Sequence, residues 1–260
     1  MRLKIAILIA KSAGALSRIL LRKSGETIPG RVLLIIYPKA ITELAKNRKI
    51  ICVSGTNGKT STTKALVTII SKLGSVTTSP TGSNLDRGVA TALMRKSDYA
   101  VLEVDELHLS RVINEAKPAL VLLLNLTRDQ LHRMHEVKRV AERWATSAKG
   151  APNTLFVGDI DDPFVALALS AATQSHSVSF GGRKHLDGAV CPSCGKYLKW
   201  SKNNFKCSCG LTNTSPDELF GSGTAALRNA TLANVAGKLL GGKAIAIDEK
   251  SQERSVDREY

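Results

Sequence analysis

The feature that most constrains this chain is a glycine-bearing turn, Gly55-Thr56-Asn57-Gly58-Lys59-Thr60-Ser61, placed just after the strand candidate 49–53 with its apolar residues 50–53. Glycines that follow a strand let backbone N–H groups converge on phosphate oxygens, and a helix starting at the turn adds its positive N-terminal end. The sequence therefore predicts a strand, a phosphate cradle and a helix over about residues 59–73. In such a cradle Lys59 reaches the terminal phosphates of ATP and the Thr60 hydroxyl joins Mg²⁺. Gly55, Thr56, Asn57, Gly58 and Ser61 complete the loop. The spacing departs from the widespread G-x-x-x-x-G-K form, because Val53 stands where the first glycine belongs. A ligand-free glycine turn would leave Lys59 and two hydroxyls at a helix start unexplained. A nucleotide switch would need its own water-positioning and base-recognition motifs, and none is evident.

The rest of the chain supplies a sheet for this cradle. Strand candidates follow at 99–104, 119–124, 154–157 and 177–180, with helices at 137–148, 163–172 and 224–240. Apolar strands alternating with helices imply an α/β fold, a mostly parallel sheet covered on both faces, spanning residues 48–245. Ahead of it, residues 1–47 form a basic amphipathic segment. A helix over 3–21 carries Lys4, Lys11 and Arg18 at seven-residue steps along one edge. The Gly25–Gly30 stretch with Pro29 breaks that helix; 32–36 reads as a strand, and Pro38 opens a helix toward Lys46. The charged tail 246–260 is expected to be disordered.

Charge narrows the partners. The chain carries +15 at pH 7, and residues 1–50 hold eleven Lys or Arg against Glu26 and Glu43. The remainder is only mildly basic and lacks a stripe of cations interleaved with aromatics, so no nucleic-acid partner is expected. A helix with a basic edge docks on its own domain or touches anionic lipid, and the sequence leaves both open. No apolar run approaches the roughly 20 residues of a membrane span, and no signal-peptide pattern stands out. The expected location is the cytoplasm, with the inner face of the membrane as a second possibility.

Two further groups of residues carry chemistry. Glu103 ends an apolar strand, where ligands gather in open α/β sheets, and is expected to hold Mg²⁺; its neighbours Asp105 and Glu106 are expected to be solvated or to stand behind it. Asn125-Leu126-Thr127-Arg128-Asp129-Gln130 arrives at the same sheet edge from the next strand. Separately, Cys191-Pro192-Ser193-Cys194 and Cys207-Ser208-Cys209 give two close thiol pairs in a module over 187–213 that interrupts the α/β rhythm. Cys191, Cys194, Cys207 and Cys209 match a structural zinc ribbon, with every coordination position filled and none left for catalysis. Cys52, alone in an apolar strand, reads as a small buried hydrophobe.

Taken together, the G-T-N-G-K-T-S loop, Glu103 and the N-L-T-R-D-Q run resemble the central ATPase domain of the Mur ligases. Thr81-Gly82-Ser83-Asn84-Leu85-Asp86-Arg87-Gly88, Asp161-Asp162-Pro163, the Gly30-Arg31-Val32 run after Pro29 and the four-cysteine insertion narrow the resemblance to the MurT branch, ligase subunits of lipid II isoglutaminyl synthase. It runs from residue 1 to about 240. The resemblance implies ATP-dependent amidation of the D-glutamate α-carboxylate of lipid II to D-isoglutamine, in peptidoglycan biosynthesis. That reaction passes through an acyl phosphate, with ammonia from a GatD-type glutaminase subunit. It implies catalytic roles for Lys59 and Glu103, and Mg²⁺ held by Thr60 and Glu103. Thr81, Asn84, Asn125 and Asp129 would face substrate or a second metal, and Asn229 would contact adenine. Two positions differ from the branch: the second thiol pair is C-x-C where C-x-x-C is usual, and His132 stands where an aspartate is expected. Branch members continue into a C-terminal domain, and this chain, ending at Tyr260, is expected to lack it. An ATP- and zinc-binding remnant without ligase activity, or another enzyme of the Mur type, are the alternatives.

Overall fold

The computed structural model describes residues 2–21, 26–80, 82–127, 134–182, 185 and 187–245, and for 18–21 and 134–136 the backbone alone. In chain order the elements are α1 (Arg2–Leu21), α2 (Ile28–Ile36), α3 (Ala40–Ala45), β1 (Lys49–Ser54), α4 (Lys59–Ile70), β2 (Val76–Thr78), α5 (Asp86–Leu93), β3 (Tyr99–Glu103) and α6 (Leu109–Ala116). They continue with β4 (Leu120–Leu123), α7 (Met134–Lys149), β5 (Leu155–Asp159), α8 (Pro163–Ala171), β6 (Gln174–Ser179), β7 (Lys199–Ser201), β8 (Asn204–Lys206), β9 (Glu218–Leu219) and α9 (Ala225–Leu239).

Seven strands form one parallel sheet in the order β2-β3-β1-β4-β5-β6-β9. Successive side chains of a strand point to opposite faces, and here both faces are dry. Ile50 and Cys52 of β1 join α3, α5, α6, α7 and α8 on one face. Ile51 and Val53 join α4 and α9 on the other. Cys52 is fully buried, as expected of a small hydrophobe, and burial pushes its thiol up to about 12. Strand β1 lies between β3 and β4, so at its end Val53 sits beside Glu103 and Ser54 beside Leu123. That is the reversal point of strand order, where crevices open at carboxyl ends in α/β sheets.

The 32–36 segment corrects the strand expectation, because it belongs to helix α2. Pro29 lies in the first turn, where its fixed φ suits a helix and its missing N–H is not needed. An unbroken apolar run does not distinguish the two conformations. The helix buries Gly30 and Leu33 and leaves Ile35 and Ile36 exposed. It docks on α5 through Gly30 N–H, which donates to Thr91 Oγ1 at 2.9 Å. On its other side, α1 packs Ala6 and Ala10 against Leu33 and Ala40. Six elements were not anticipated: β2, α5, α6, β7, β8 and β9. No helix among the described residues is long and apolar enough to cross a membrane.

The cysteine module pairs β7 and β8 as an antiparallel hairpin, with Trp200 opposite Phe205. Phe205 and Leu198 pack on Ala166 of α8. Trp200 Nε1 donates to the Gly188 carbonyl at 3.0 Å and ties the hairpin to the start of the module.

Candidate nucleotide site and thiolate cluster

The cradle follows β1 as the sequence predicts, and its two glycines are there for conformational reasons. Gly58 adopts φ 83° and a side chain there would run into the Asn229 carboxamide; Gly55 adopts φ 145° with the Asn125 backbone against it. A Cβ at either position would strike the packed segment behind the loop, so glycine lets the cradle backbone lie close against Asn125 and Asn229. Helix α4 begins at Lys59 and presents its N-terminus to the turn.

The loop is clamped by the segment after β4. Thr56 N–H donates to the Asn125 carbonyl at 2.8 Å, and Asn57 N–H donates to Asn125 Oδ1 at 3.2 Å. Asn125 Nδ2 donates back to the Asn57 carbonyl at 3.0 Å. Thr127 N–H reaches Thr56 Oγ1 at 3.0 Å. Both ends of the Asn125 amide are thus engaged on the cradle backbone, which makes Asn125 a positioning residue in this arrangement.

Thr60 meets Glu103, and Lys59 meets Glu106. Thr60 Oγ1 donates to Glu103 Oε2 at 3.0 Å, a hydroxyl and a buried carboxylate of the kind that hold a hard divalent cation. Lys59 Nζ donates to the carbonyls of Gly55 (2.6 Å) and Thr56 (3.1 Å) and stands 3.4 Å from Glu106 Oε1. Glu106 therefore turns inward to the cradle lysine, which sets aside the solvated alternative and agrees with a place behind the cradle. Burial raises its carboxyl above the ordinary range, with Lys59 pulling the other way. Its carbonyl accepts from Nε1 of the fully buried Trp144 at 3.0 Å, which fixes this turn of chain. Asp105 caps the same turn, accepting from Leu107 N–H at 2.9 Å.

Asn84 reaches the same edge, its carbonyl accepting from Asp105 N–H at 2.7 Å. The helix behind it is anchored by Asp86, which accepts from Arg111 Nη1 at 2.6 Å and pairs with His108 Nδ1 at 3.0 Å. Thr81 and Asp129, named from the sequence as substrate or metal residues, lie outside the described residues, as does the 246–260 tail.

Asn229 is buried on α9, against Gly58. Its neighbour Arg228 was missed in the sequence. The Arg228 guanidinium donates to Asp159 and lies 3.4 Å from Asp161, with its cation over the Phe180 ring. Asp161, fully buried, also accepts from Ser179 Oγ (2.8 Å), Phe180 N–H (2.8 Å), Gly182 N–H (3.2 Å) and Asn213 Nδ2 (3.2 Å). Asp162 caps α8 through Phe164 N–H and accepts from Leu126 N–H at 2.7 Å. The Asp161-Asp162 pair thus braces α9, the end of the cysteine module and the clamp segment. Burial pushes the Asp159 carboxyl up to about 6 despite Arg228.

The four module cysteines come together with all Sγ atoms within 4.8 Å of one another. Cys191 and Cys209 stand 3.6 Å apart, Cys194 and Cys207 3.4 Å apart. Zn–S bonds of about 2.3 Å in a tetrahedron separate sulfurs by about 3.8 Å, so the cluster fits zinc despite the short C-x-C pair. Burial pushes Cys191 up to about 12, while the Cys209 backbone N–H draws Cys207 down to about 6.

Fold and site define a P-loop α/β protein whose cradle lies at the sheet's switch point. Residues 53–214 match the Mur ligase middle domain, and the chain belongs to the Mur ligase family. It is 32% identical over 199 residues to the MurT subunit of lipid II isoglutaminyl synthase (glutamine-hydrolyzing) from Streptococcus pneumoniae, covering 70% of this chain and 44% of that protein. The Staphylococcus aureus (strain N315) MurT subunit is 28% identical over 230 residues, covering 81% of this chain and 52% of that protein. This chain thus spans about half the length of these relatives. In fold it is similar to MurF ligase from Thermotoga maritima in complex with ADP, with a TM-score of 0.57, 19% identity, and coverage of 86% of this chain and 51% of that one.

Proposed function

We propose that this chain is the ATP-using unit of a carbon–nitrogen ligase of peptidoglycan biosynthesis. Its reaction is amidation of the D-glutamate α-carboxylate of lipid II, with ammonia from a GatD-type glutaminase subunit. The observation that carries the reading is the Thr60–Glu103 contact beside a cradle whose Lys59 faces the loop carbonyls and Glu106, within a family match whose curated relatives include two MurT subunits.

The substrate carboxylate oxygen attacks the γ-phosphorus of ATP, the bond to the β,γ-bridging oxygen breaks, and ADP leaves with its electron pair. Ammonia then attacks the acyl carbon; phosphate departs and one proton is lost to give the amide. Both steps gather negative charge on phosphoryl oxygens, and positioning with electrostatic stabilisation supplies most of the catalysis. Lys59 exchanges its present carbonyl and Glu106 partners for those oxygens. Thr60 and Glu103 hold Mg²⁺, which supplies charge neutralisation when bound. Asn125 keeps the cradle backbone in register for the phosphates, Asn84 faces the substrate side, and Asn229 stands where α9 meets the cradle, available to the nucleobase. Thr81 and Asp129 belong to this reading by the family resemblance alone. Zinc on the four thiolates has a folding role.

The test supplies the purified chain with Mg-ATP, lipid II and either ammonium or a GatD-type subunit with glutamine. Isoglutaminyl lipid II with stoichiometric ADP is the expected result. ATP binding by a folded, metal-loaded chain without any amidation under either nitrogen source contradicts the ligase assignment and favours a nucleotide-binding role.

A further inference from the structure

Among the described residues, the N-terminal helical pair leaves an apolar face without a partner. Helix α1 turns Ala6, Ala10, Gly14 and Ser17 inward, onto α2. The opposite face carries Ile5, Leu8, Ile9 and Leu16, with exposures of 51%, 66%, 46% and 57%. Four large apolar side chains, each about half or more open to solvent on one helix, exceed the scatter expected on a soluble surface. Ile35 of α2, 71% exposed, adds to the same helical pair.

Charge identifies what covers this face. Lys4 and Lys11, both exposed and seven residues apart, stack along one edge of the apolar stripe, and the α1 sequence contains no acidic residue. Lys11 also borders a cleft of about 430 Å³ lined by Arg95, Thr78, Ser79 and Glu26. Ser79 is buried there, and its Oγ has no hydrogen-bond partner among the described residues. Two cations and an unsatisfied hydroxyl against one carboxylate favour an anionic oxygen-rich group. Apolar side chains bordered by lysines, beside a cationic cleft, are the pattern of a helix lying in the headgroup layer of an anionic bilayer.

We infer that the α1 face docks on anionic phospholipid, with Ile5, Leu8, Ile9 and Leu16 entering the acyl boundary and Lys4 and Lys11 meeting headgroup phosphates. This contact is separate from the ligation chemistry and holds whether or not the ligase reading does.

Co-sedimentation of the full chain with vesicles of phosphatidylglycerol and phosphatidylcholine, against phosphatidylcholine alone, tests it. Binding is expected on the anionic vesicles and weakens as salt rises. The double variant Lys4→Glu/Lys11→Glu is expected to lower partitioning about tenfold or more. The variant Ile5→Gln/Leu8→Gln is expected to abolish it at an unchanged melting temperature, since both side chains are already exposed. Equal partitioning to both vesicle types, or none to either, overturns the proposal. So does a dimer in light scattering that dissociates in Ile5→Gln/Leu8→Gln while vesicles bind neither protein. Inorganic phosphate at millimolar concentration is expected to leave vesicle binding in place; full competition would assign the cleft to free phosphate and overturn the lipid docking.

Discussion

Lys59 Nζ and Glu106 Oε1 stand 3.4 Å apart inside the cradle, so the cation suited to a phosphate rests against a half-buried carboxylate. Burial already raises the Glu106 carboxyl, and Lys59 is the main influence opposing it. When Lys59 moves to a phosphoryl oxygen, that opposition is lost and the carboxyl rises further. Nucleotide binding is therefore expected to take up protons at mildly acidic pH and to strengthen as pH falls in that range. Calorimetry of ADP binding in buffers of different ionisation enthalpy reads the uptake. It is expected to exceed that of Glu106→Gln; equal uptake in the two proteins contradicts the exchange.

Gly58 and Asn229 share one small volume, which makes a double-variant test available. Gly58→Ala is expected to destabilise by at least about 1–2 kcal/mol from the left-handed backbone alone. Displacement of the Asn229 carboxamide adds to that. Asn229→Ala is expected to recover the clash and leave the backbone contribution, so the two changes combine to less than their sum in urea melts.

Asp159 lets the sign of a pH effect be worked out. Its carboxyl is raised from 3.8 to about 6 by burial, so the folded state binds more protons than the unfolded one across that window. Stability contributed by this group is therefore present below about pH 4 and falls as pH rises toward 6, by on the order of 3 kcal/mol. The difference between wild type and Asp159→Asn is expected to shift in the variant's favour over that range. Denaturant melts at pH 4, 5, 6 and 7 measure it, and a pH-independent difference contradicts the account.

The thiolate cluster predicts a single tetrahedral metal. One equivalent of Co²⁺ is expected to give thiolate charge-transfer absorption, and zinc is expected to displace it. Cys207→Ser is expected to lower affinity by orders of magnitude. Zinc removal is expected to loosen the module first, and through Asn213 the Asp161 hub to which it donates. Hydrogen exchange at Phe180 and Gly182 reports that second effect.

The cradle, its flanking strands and the four thiols were legible because each is local: a glycine spacing, an apolar run, a thiol spacing. Segment 32–36 was misread because a fully apolar run carries no period, and its helical start at Pro29 was outweighed by the apparent break before it. Helices α5 and α6 are short, and α5 sits inside a polar stretch that reads as loop. The partners of Glu106 and Arg228 were invisible for a different reason. Each looks like a surface charge, and only the tertiary register of β3 and β5 brings partners 47 and 69 residues away into contact. Asn125 was found as a site residue, but its engagement with the Asn57 backbone depends on two strand ends meeting.

The account rests on the cradle as an ATP site completed by Thr60 and Glu103, and equilibrium binding of ATP with and without Mg²⁺ tests it most directly. Wild type is expected to bind ATP in a magnesium-dependent way. Lys59→Ala is expected to weaken binding about 10²-fold, and Glu103→Gln to remove the magnesium dependence. A folded wild type with no saturable ATP binding, or one matched by Lys59→Ala, contradicts it.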